Sequence, residues 1–225
     1  MSTDSTCLDI RGFALLPSLM TDAECDLLTQ QVDALQPSSA GSRRLLALEP
    51  FAGAATTIQR HPDLKGLLGD AFVAVQCNVF CKSPAANWLV APHQDLSIPV
   101  LQRQLVAGWS GWSQKEGVLF VQPPCSILES LLIVRLQLDT DAEHTGPLEV
   151  VPGSHRLGRL SAAQIREHAA KGRYRCVVPR GGAVALRPLL IHSSSKAVIP
   201  GHRRVLHFVF GPAALPSGLQ WAEAV

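Results

Sequence analysis

Two hydrophobic periods divide the chain. Apolar residues recur at Ala23, Leu27, Leu28, Val32 and Leu35, the spacing of one helical face, so Thr21 to Leu35 reads as a helix. Thr21 and Glu24 form a capping box at its start, and Pro37-Ser38-Ser39 ends it. "GFALLPSLM" just before it reads as a short strand. A second short helix covers "HPDLKGLLGD", with Pro62 in its first turn and Gly69 near its end. From Phe72 onward the pattern changes to short β-type runs: "FVAVQCNVF", "NWLVA", "GVLFV", "SLLIVRLQLD", "PLEVV", "RCVVP", "GAVALRPLLIH" and "HRRVLHFVF". Gly, Pro and Ser clusters separate them, which makes about eight strands, the number in a double-sheet jelly roll. The helix "SAAQIREHAAK", with Ser161 and Gln164 as another capping box, interrupts them. Between Ser97 and Val118 no steady period is seen, and this stretch reads as a long loop.

The pattern implies a mainly β chain with flanking helices, a double-stranded β-helix of the jelly-roll, cupin-like kind. It suits a single domain over residues 1–225, with a helical N-terminal buttress at about 1–70 and a jelly-roll core at about 71–212. Apolar residues make up 47% and charged residues 17%, a composition suited to a compact globule with one sizeable core. Net charge is +2 with histidines neutral, and apart from Arg43-Arg44 and Arg203-Arg204 the basic residues are scattered. No electrostatic footprint for nucleic acid results. A membrane partner is not expected either, because no run of about 18 apolar residues exists. The N-terminal stretch has no basic segment followed by an apolar core, so the chain reads as cytoplasmic. Of its six cysteines, none forms a Cys-X-X-Cys couple; Cys77 and Cys81 share one strand face as small buried thiols.

Against this background "APHQDLSIPV" stands out, because it sets His93 and Asp95 between Pro92 and Pro99 in an apolar stretch. In a strand, residues two apart point to the same side, so an imidazole and a carboxylate can meet at one point. A second histidine would complete the 2-His-1-carboxylate triad that holds non-haem Fe(II) with open positions. Of the eight histidines, His192 ends the apolar run "VALRPLLIH" at the rim of a buried strand, and His207, inside "VLHFVF", competes with it. Eleven residues after His192 comes Arg203, whose guanidinium fork suits a carboxylate held in a partly dry site. Arg203 and His207 share one face of their strand, while Arg204, Leu206, Phe208 and Phe210 share the other, which suits packing under the helices.

Taken together, "GFALLPSLMTDAE", "HQDLSIPV", "GPLEVVPGSHRLGRL" and "LLIHSSSKAVIPGHRRVLHFVF" resemble the phytanoyl-CoA dioxygenase-like branch of the Fe(II) and 2-oxoglutarate dependent oxygenases. The resemblance implies a double-stranded β-helix, iron on His93, Asp95 and His192, and the distal carboxylate of 2-oxoglutarate on Arg203. It also suggests polar groups for the cosubstrate on the strand before the iron motif, here Gln76 and Asn78, with Ser194 a further candidate. "GPLEVVPGSH" reads as structural, its Gly and Pro residues punctuating a strand and turn, and His155 is not assigned to the metal. Thr145 stands where relatives often carry Asn, and Gln137 where His is common. A carboxylate at position 95 argues for hydroxylation rather than halogenation, with 2-oxoglutarate and O2 consumed and succinate and carbon dioxide released.

The substrate implied is a small organic molecule. Trp112 and Lys115, in "AGWSGWSQKEG", and Arg135 and Gln137, in "SLLIVRLQLD", are the candidates to line its pocket, with Arg43, Arg44 and Trp88 behind them. Two other readings use the same jelly roll: a cupin-like metal isomerase or hydrolase without 2-oxoglutarate, which Arg203 argues against, and a non-catalytic binding module, which retention of the ligand set argues against.

Overall fold

A computed structural model describes residues 5–35, 42–68, 71–140, 144–199 and 201–225. The expected helix stop at Pro37-Ser38-Ser39 and the helix end at Gly69 lie outside these residues. Four helices lead the chain: α1 (Ser5–Arg11), α2 (Asp22–Leu35), α3 (Glu49–Arg60) and α4 (Pro62–Leu68), with β1 (Phe13–Leu16) between the first two. Both halves of the Thr21–Glu24 capping box form: the Thr21 N–H donates to Glu24 Oε2 (2.8 Å) and the Glu24 N–H to Thr21 Oγ1 (3.3 Å). The buried stripe of α2 is Cys25, Leu28 and Val32, while Leu27 and Leu35 of the expected stripe are exposed. The hydrophobic pattern does not predict α3, because its inward face, Phe51, Ala54, Ala55 and Ile58, is half alanine and gives only a faint period.

Among the described residues the expected strand at "GFALLPSLM" is present as β1, and eleven strands follow from Phe72 onward against the eight expected there. After β1 come β2 (Phe72–Lys82), β3 (Val90–His93), β4 (Ile98–Val100), β5 (Ser110–Lys115) and β6 (Val118–Gln122). A short helix α5 (Cys125–Ser130) leads into β7 (Leu132–Gln137) and β8 (Leu148–Val150). Then follow α6 (Ala162–Ala170), β9 (Tyr174–Cys176), β10 (Ala183–Leu186), β11 (His192–Ser194) and β12 (Arg203–Pro212). Two differences from the sequence reading matter. "GAVALRPLLIH" is two strands, not one, because Pro188 lacks an N–H and a turn forms over Arg187–Leu190, closed by the Leu190 N–H on the Arg187 carbonyl (3.0 Å). The stretch 97–118 is not a long loop: it holds β4 and β5, which pair antiparallel with β6 in a three-stranded sheet. These strands escape the pattern because β4 is short and uniformly apolar, and β5, "SGWSQK", is an edge strand with a polar sequence.

The major sheet has five strands in the order β1-β10-β7-β12-β2, and the minor sheet four, β3-β11-β8-β9. Apolar residues from both sheets meet in one cluster, Phe13, Ile133, Val184, Leu186 and Val209 from the major sheet with Leu148, Val150 and Cys176 from the minor, the two-layer jelly roll. The outer face of the major sheet packs on the helices: Leu206, Phe208 and Phe210 of β12 and Val134 and Leu136 of β7 join Leu28, Val32, Phe51 and Ile58. Arg204 fastens the same contact. Its guanidinium reaches Asp33 of α2 (2.8 Å) and Asp139 just past β7 (2.6 Å).

Strand β2 changes faces once. Val209 pairs with Gln76 and Phe210 with Ala74, which leaves Val75 as the extra residue of a β-bulge. Beyond it Cys77, Val79 and Cys81 pack against the helices, and Gln76, Asn78, Phe80 and Lys82 turn inward. Cys77 and Cys81 thus share a face as expected, and all six cysteines are free thiols.

Phe208 is fully buried where sheet and helices meet. Phe208→Ala is expected to lower unfolding free energy by about 3–5 kcal/mol, measured by urea denaturation, through the cavity it leaves.

Candidate active site

Two antiparallel neighbours build the centre. His192, the first residue of β11, pairs directly with His93, the last of β3, and their ring centroids are 4.2 Å apart. Asp95 follows His93 just beyond the strand, where its N–H donates to the Pro188 carbonyl (2.9 Å). Between the two, Gln94 points the other way and is buried. Its Nε2 donates to the carbonyls of Leu189 (2.7 Å) and Gly158 (2.8 Å), and its Oε1 accepts from the Leu160 N–H (2.9 Å). One amide therefore ties the His93–Asp95 corner to the turn that precedes His192. Sequence reasoning passed over this residue, since a lone Gln between two ligands carries no pattern.

Each imidazole has its tautomer set by the backbone. His93 Nδ1 lies 2.9 Å from the Ala91 carbonyl and His192 Nδ1 2.9 Å from the Leu190 carbonyl. A carbonyl can only accept, so the proton of each neutral ring sits on Nδ1 and the Nε2 lone pair is left for another partner. Asp95 Oδ1 lies 3.8 Å from His93 Nε2, and Oδ2 lies 3.5 Å from His192 Nε2. One ligand atom from each of His93, Asp95 and His192 falls within 4.8 Å of the others. Asp95 Oδ2 is buried without a hydrogen-bond partner among the described residues. A divalent cation fits this set: two imidazole nitrogen lone pairs and a carboxylate.

Electrostatics agree with that arrangement. Burial alone would raise the Asp95 pKa, yet His192, His207, His93 and Arg135 together hold it below the ordinary carboxylate value. Burial pushes His192 down to about 4, against the opposing pull of Asp95, and His207 down to about 3. Both rings are neutral at pH 7.

Two cavities adjoin this centre and share Arg43, Phe80, His93, Asp95 and His207 among their linings. The smaller, about 200 Å³, contains Arg203, Lys82, Ser194, His192, Arg135 and Trp88. Arg203 is buried on the inner face of β12. Ser194 Oγ donates to the Gly146 carbonyl (2.8 Å) and accepts from Lys82 Nζ (2.6 Å), while Lys82 also donates to the Ser195 carbonyl. Gly146 is required here: it has φ +72, and a Cβ would lie 2.4 Å from the Ser195 carbonyl oxygen. Lys82 is a functional candidate the sequence reading missed, although it shares the inward parity of Gln76 and Asn78 along β2.

The larger cavity, about 400 Å³, is where Gln76 and Asn78 lie, rather than beside Arg203. Its polar lining is completed by His207, Lys115 and Gln122, and its apolar lining includes Phe120, Leu128, Leu131 and Ile133. Of the residues expected to meet substrate, Lys115 lies here, with its Nζ 5.1 Å from the Phe120 ring centroid. Arg135 opens on the smaller cavity. Gln137 is fully buried and lines neither; its amide atoms have no hydrogen-bond partner among the described residues. Trp112 lines neither cavity and packs beneath Arg103, whose guanidinium is 5.5 Å from its ring. Arg43 is held by Glu116, Arg44 pairs with Glu223 outside both cavities, and His155 binds the Asp9 carbonyl far from the centre.

Comparison with known proteins places this geometry. L-proline trans-4-hydroxylase from Streptomyces griseoviridis is 25% identical over 253 residues, covering 92% of this chain and 87% of that protein. The crystal structure of the non-heme alpha ketoglutarate dependent epimerase SnoN from nogalamycin biosynthesis superposes with a TM-score of 0.69 at 16% identity, over 96% of this chain and 84% of that one. HygX from Streptomyces hygroscopicus, with nickel and 2-oxoglutarate bound, gives a TM-score of 0.60 at 17% identity, over 91% and 84% of the two chains. Residues 8–205 match the family described as phytanoyl-CoA dioxygenase (PhyH), and with most of its length accounted for, the chain belongs to that family.

Proposed function

We propose that this chain is an Fe(II)- and 2-oxoglutarate-dependent oxygenase that hydroxylates an unactivated C–H bond of a small organic molecule. The observation that carries the proposal is the convergence of the His93 and His192 Nε2 lone pairs on the Asp95 carboxylate, beside a cavity lined by Arg203. In this reading His93, Asp95 and His192 hold the iron. Arg203, Ser194 and Lys82 take the distal carboxylate of 2-oxoglutarate, and Gln76 and Asn78 face the substrate side. Iron with 2-oxoglutarate and O2 bound supplies the oxidation, releasing succinate and carbon dioxide, while the protein positions and excludes water.

The chain's own residues do the rest. The Nδ1–H···O=C contacts of His93 and His192 keep both rings turned inward, and Gln94 keeps the two halves of the centre at a fixed separation. The larger cavity accommodates a small molecule that carries both polar and apolar groups. Hydroxylation of a free amino or imino acid is supported by the hydroxylase relative, and Lys115 in the lining suits the carboxylate of such a substrate. The reading takes the chain as one oxygenase domain buttressed by its N-terminal helices. Six free thiols support a reducing compartment, the cytoplasm. Among the described residues no helix is long and apolar enough to cross a membrane.

Anaerobic addition of Fe(II) and then 2-oxoglutarate is expected to produce a visible metal-to-ligand charge-transfer band. Asp95→Ala should lose the band with the metal. Arg203→Met should bind metal normally and weaken 2-oxoglutarate by roughly 10- to 100-fold, the worth of a charged hydrogen-bonded pair. Absence of the band from the parent protein sinks the proposal.

With O2 admitted, L-proline and a panel of amino and carboxylic acids should include a compound that stimulates succinate release and gains one oxygen atom by mass spectrometry. A compound that drives succinate release and returns with unchanged mass would reject hydroxylation in favour of an epimerase-like outcome.

A further inference from the structure

A third imidazole stands at the centre and is differently wired. Across the inner face of the major sheet, Arg135 of β7, His207 of β12 and Asn78 of β2 lie in one row, each opposite the next in register. Arg135 and His207 are both buried, and His207 lines both cavities. Arg135 Nη1 lies 3.2 Å from His207 Nδ1. A guanidinium has only N–H groups and no acceptor, so it donates here and His207 Nδ1 must carry a lone pair. The proton of His207 then sits on Nε2, which lies 3.9 Å from Asp95 Oδ2. This is the reverse of His93 and His192, whose Nδ1 atoms face carbonyls and whose Nε2 atoms carry lone pairs.

We infer that Arg135 and His207 are a positioning pair: Arg135 fixes His207 as an Nε2–H donor aimed at Asp95 Oδ2, which bars this third imidazole from the iron and holds the carboxylate to single-oxygen ligation. The inference rests on the iron reading of the preceding section. Three observations meet in it. Asp95 Oδ2 is a buried acceptor without a hydrogen-bond partner among the described residues. The His207 Nε2–H stands 3.9 Å from it, about 1 Å beyond hydrogen-bond length. Phe80 closes the remaining side of the ring, in edge contact at 5.7 Å, and Arg135 itself lies 5.5 Å from the Phe80 ring. Were the His207 proton on Nδ1, its Nε2 lone pair would face the centre and compete for a position that 2-oxoglutarate or O2 needs. Outer partners of a metal-binding carboxylate typically change metal affinity by about 10- to 100-fold when removed.

The test uses Co(II) in place of Fe(II), read by its visible absorption spectrum, with 2-oxoglutarate affinity measured on the Co(II) protein. His207→Phe removes the donor and is expected to weaken Co(II) by about 10- to 100-fold. His207→Gln, which keeps a side-chain N–H, should recover most of that loss. Arg135→Met frees the ring to offer its lone pair, so the Co(II) spectrum should change and 2-oxoglutarate should weaken by about tenfold or more. In Arg135→Met/His207→Gln, with no third imidazole, the parent spectrum should return. An unchanged spectrum in Arg135→Met, or a change that persists in the double variant, overturns the inference, as does equal Co(II) loss in His207→Phe and His207→Gln. Failure of the parent protein to bind Co(II) would instead overturn the iron reading itself. The Gln and double variants decide the matter even if His207→Phe does not fold.

Discussion

Enclosing one oxygen of the Asp95 carboxylate, Oδ2, away from solvent is the constraint on which the rest of the centre depends. An ionised carboxylate taken out of water is strongly disfavoured unless charge or hydrogen bonds compensate for it. Here Arg135 stands beside it as a permanent cation and His192, His207 and His93 surround it, and together they hold its pKa below the ordinary carboxylate value. Those groups come from four strands, β3, β7, β11 and β12, and no single element could supply them. Both sheets must therefore be assembled before the site exists. Gln94 and the Pro188 carbonyl then hold the corner that carries Asp95 against the minor sheet.

How much of this was legible depended on whether a signal was local. The iron-binding candidates were readable because a strand's period of two puts His93 and Asp95 together, and because His192 ends an apolar run and has Arg203 eleven residues after it. Capping boxes at Thr21 and Ser161 were equally local, and both form. The positions of Gln76 and Asn78 were not readable in full. Their shared face was evident, but which cavity that face meets depends on how β2 lies against the minor sheet. Gln94 and Lys82 act through distant carbonyls, so nothing beside them in the chain marks them. The stretch 97–118 failed for another reason: β5 is a polar edge strand whose order comes from pairing with β6, not from its own composition.

Arg203 and Arg204 show the same logic within two residues. Adjacent on β12, they project to opposite faces of the major sheet. Arg204 joins Asp33 and Asp139 on the helical side, and Arg203 enters the smaller cavity. A one-residue slip of β12 would exchange a structural ion pair for the proposed cosubstrate anchor and turn Phe208 into the site. The close packing of Leu206, Phe208 and Phe210 under the helices is thus what keeps Arg203 and His207 pointing inward.

The bulge at Val75 carries a different implication. His93, Asp95 and His192 belong to the minor sheet and the corner after it, whereas Gln76, Asn78 and His207 of the larger cavity's polar wall come from β2 and β12 of the major sheet. The bulge decides which residues of β2 join that wall, and it does so without touching any residue of the centre. The candidate metal ligands and the β2 and β12 side chains of the larger cavity are therefore carried on separate sheets. Mutation can rewrite the second while leaving the first intact, and such a scaffold can acquire new substrates without first losing its reactivity.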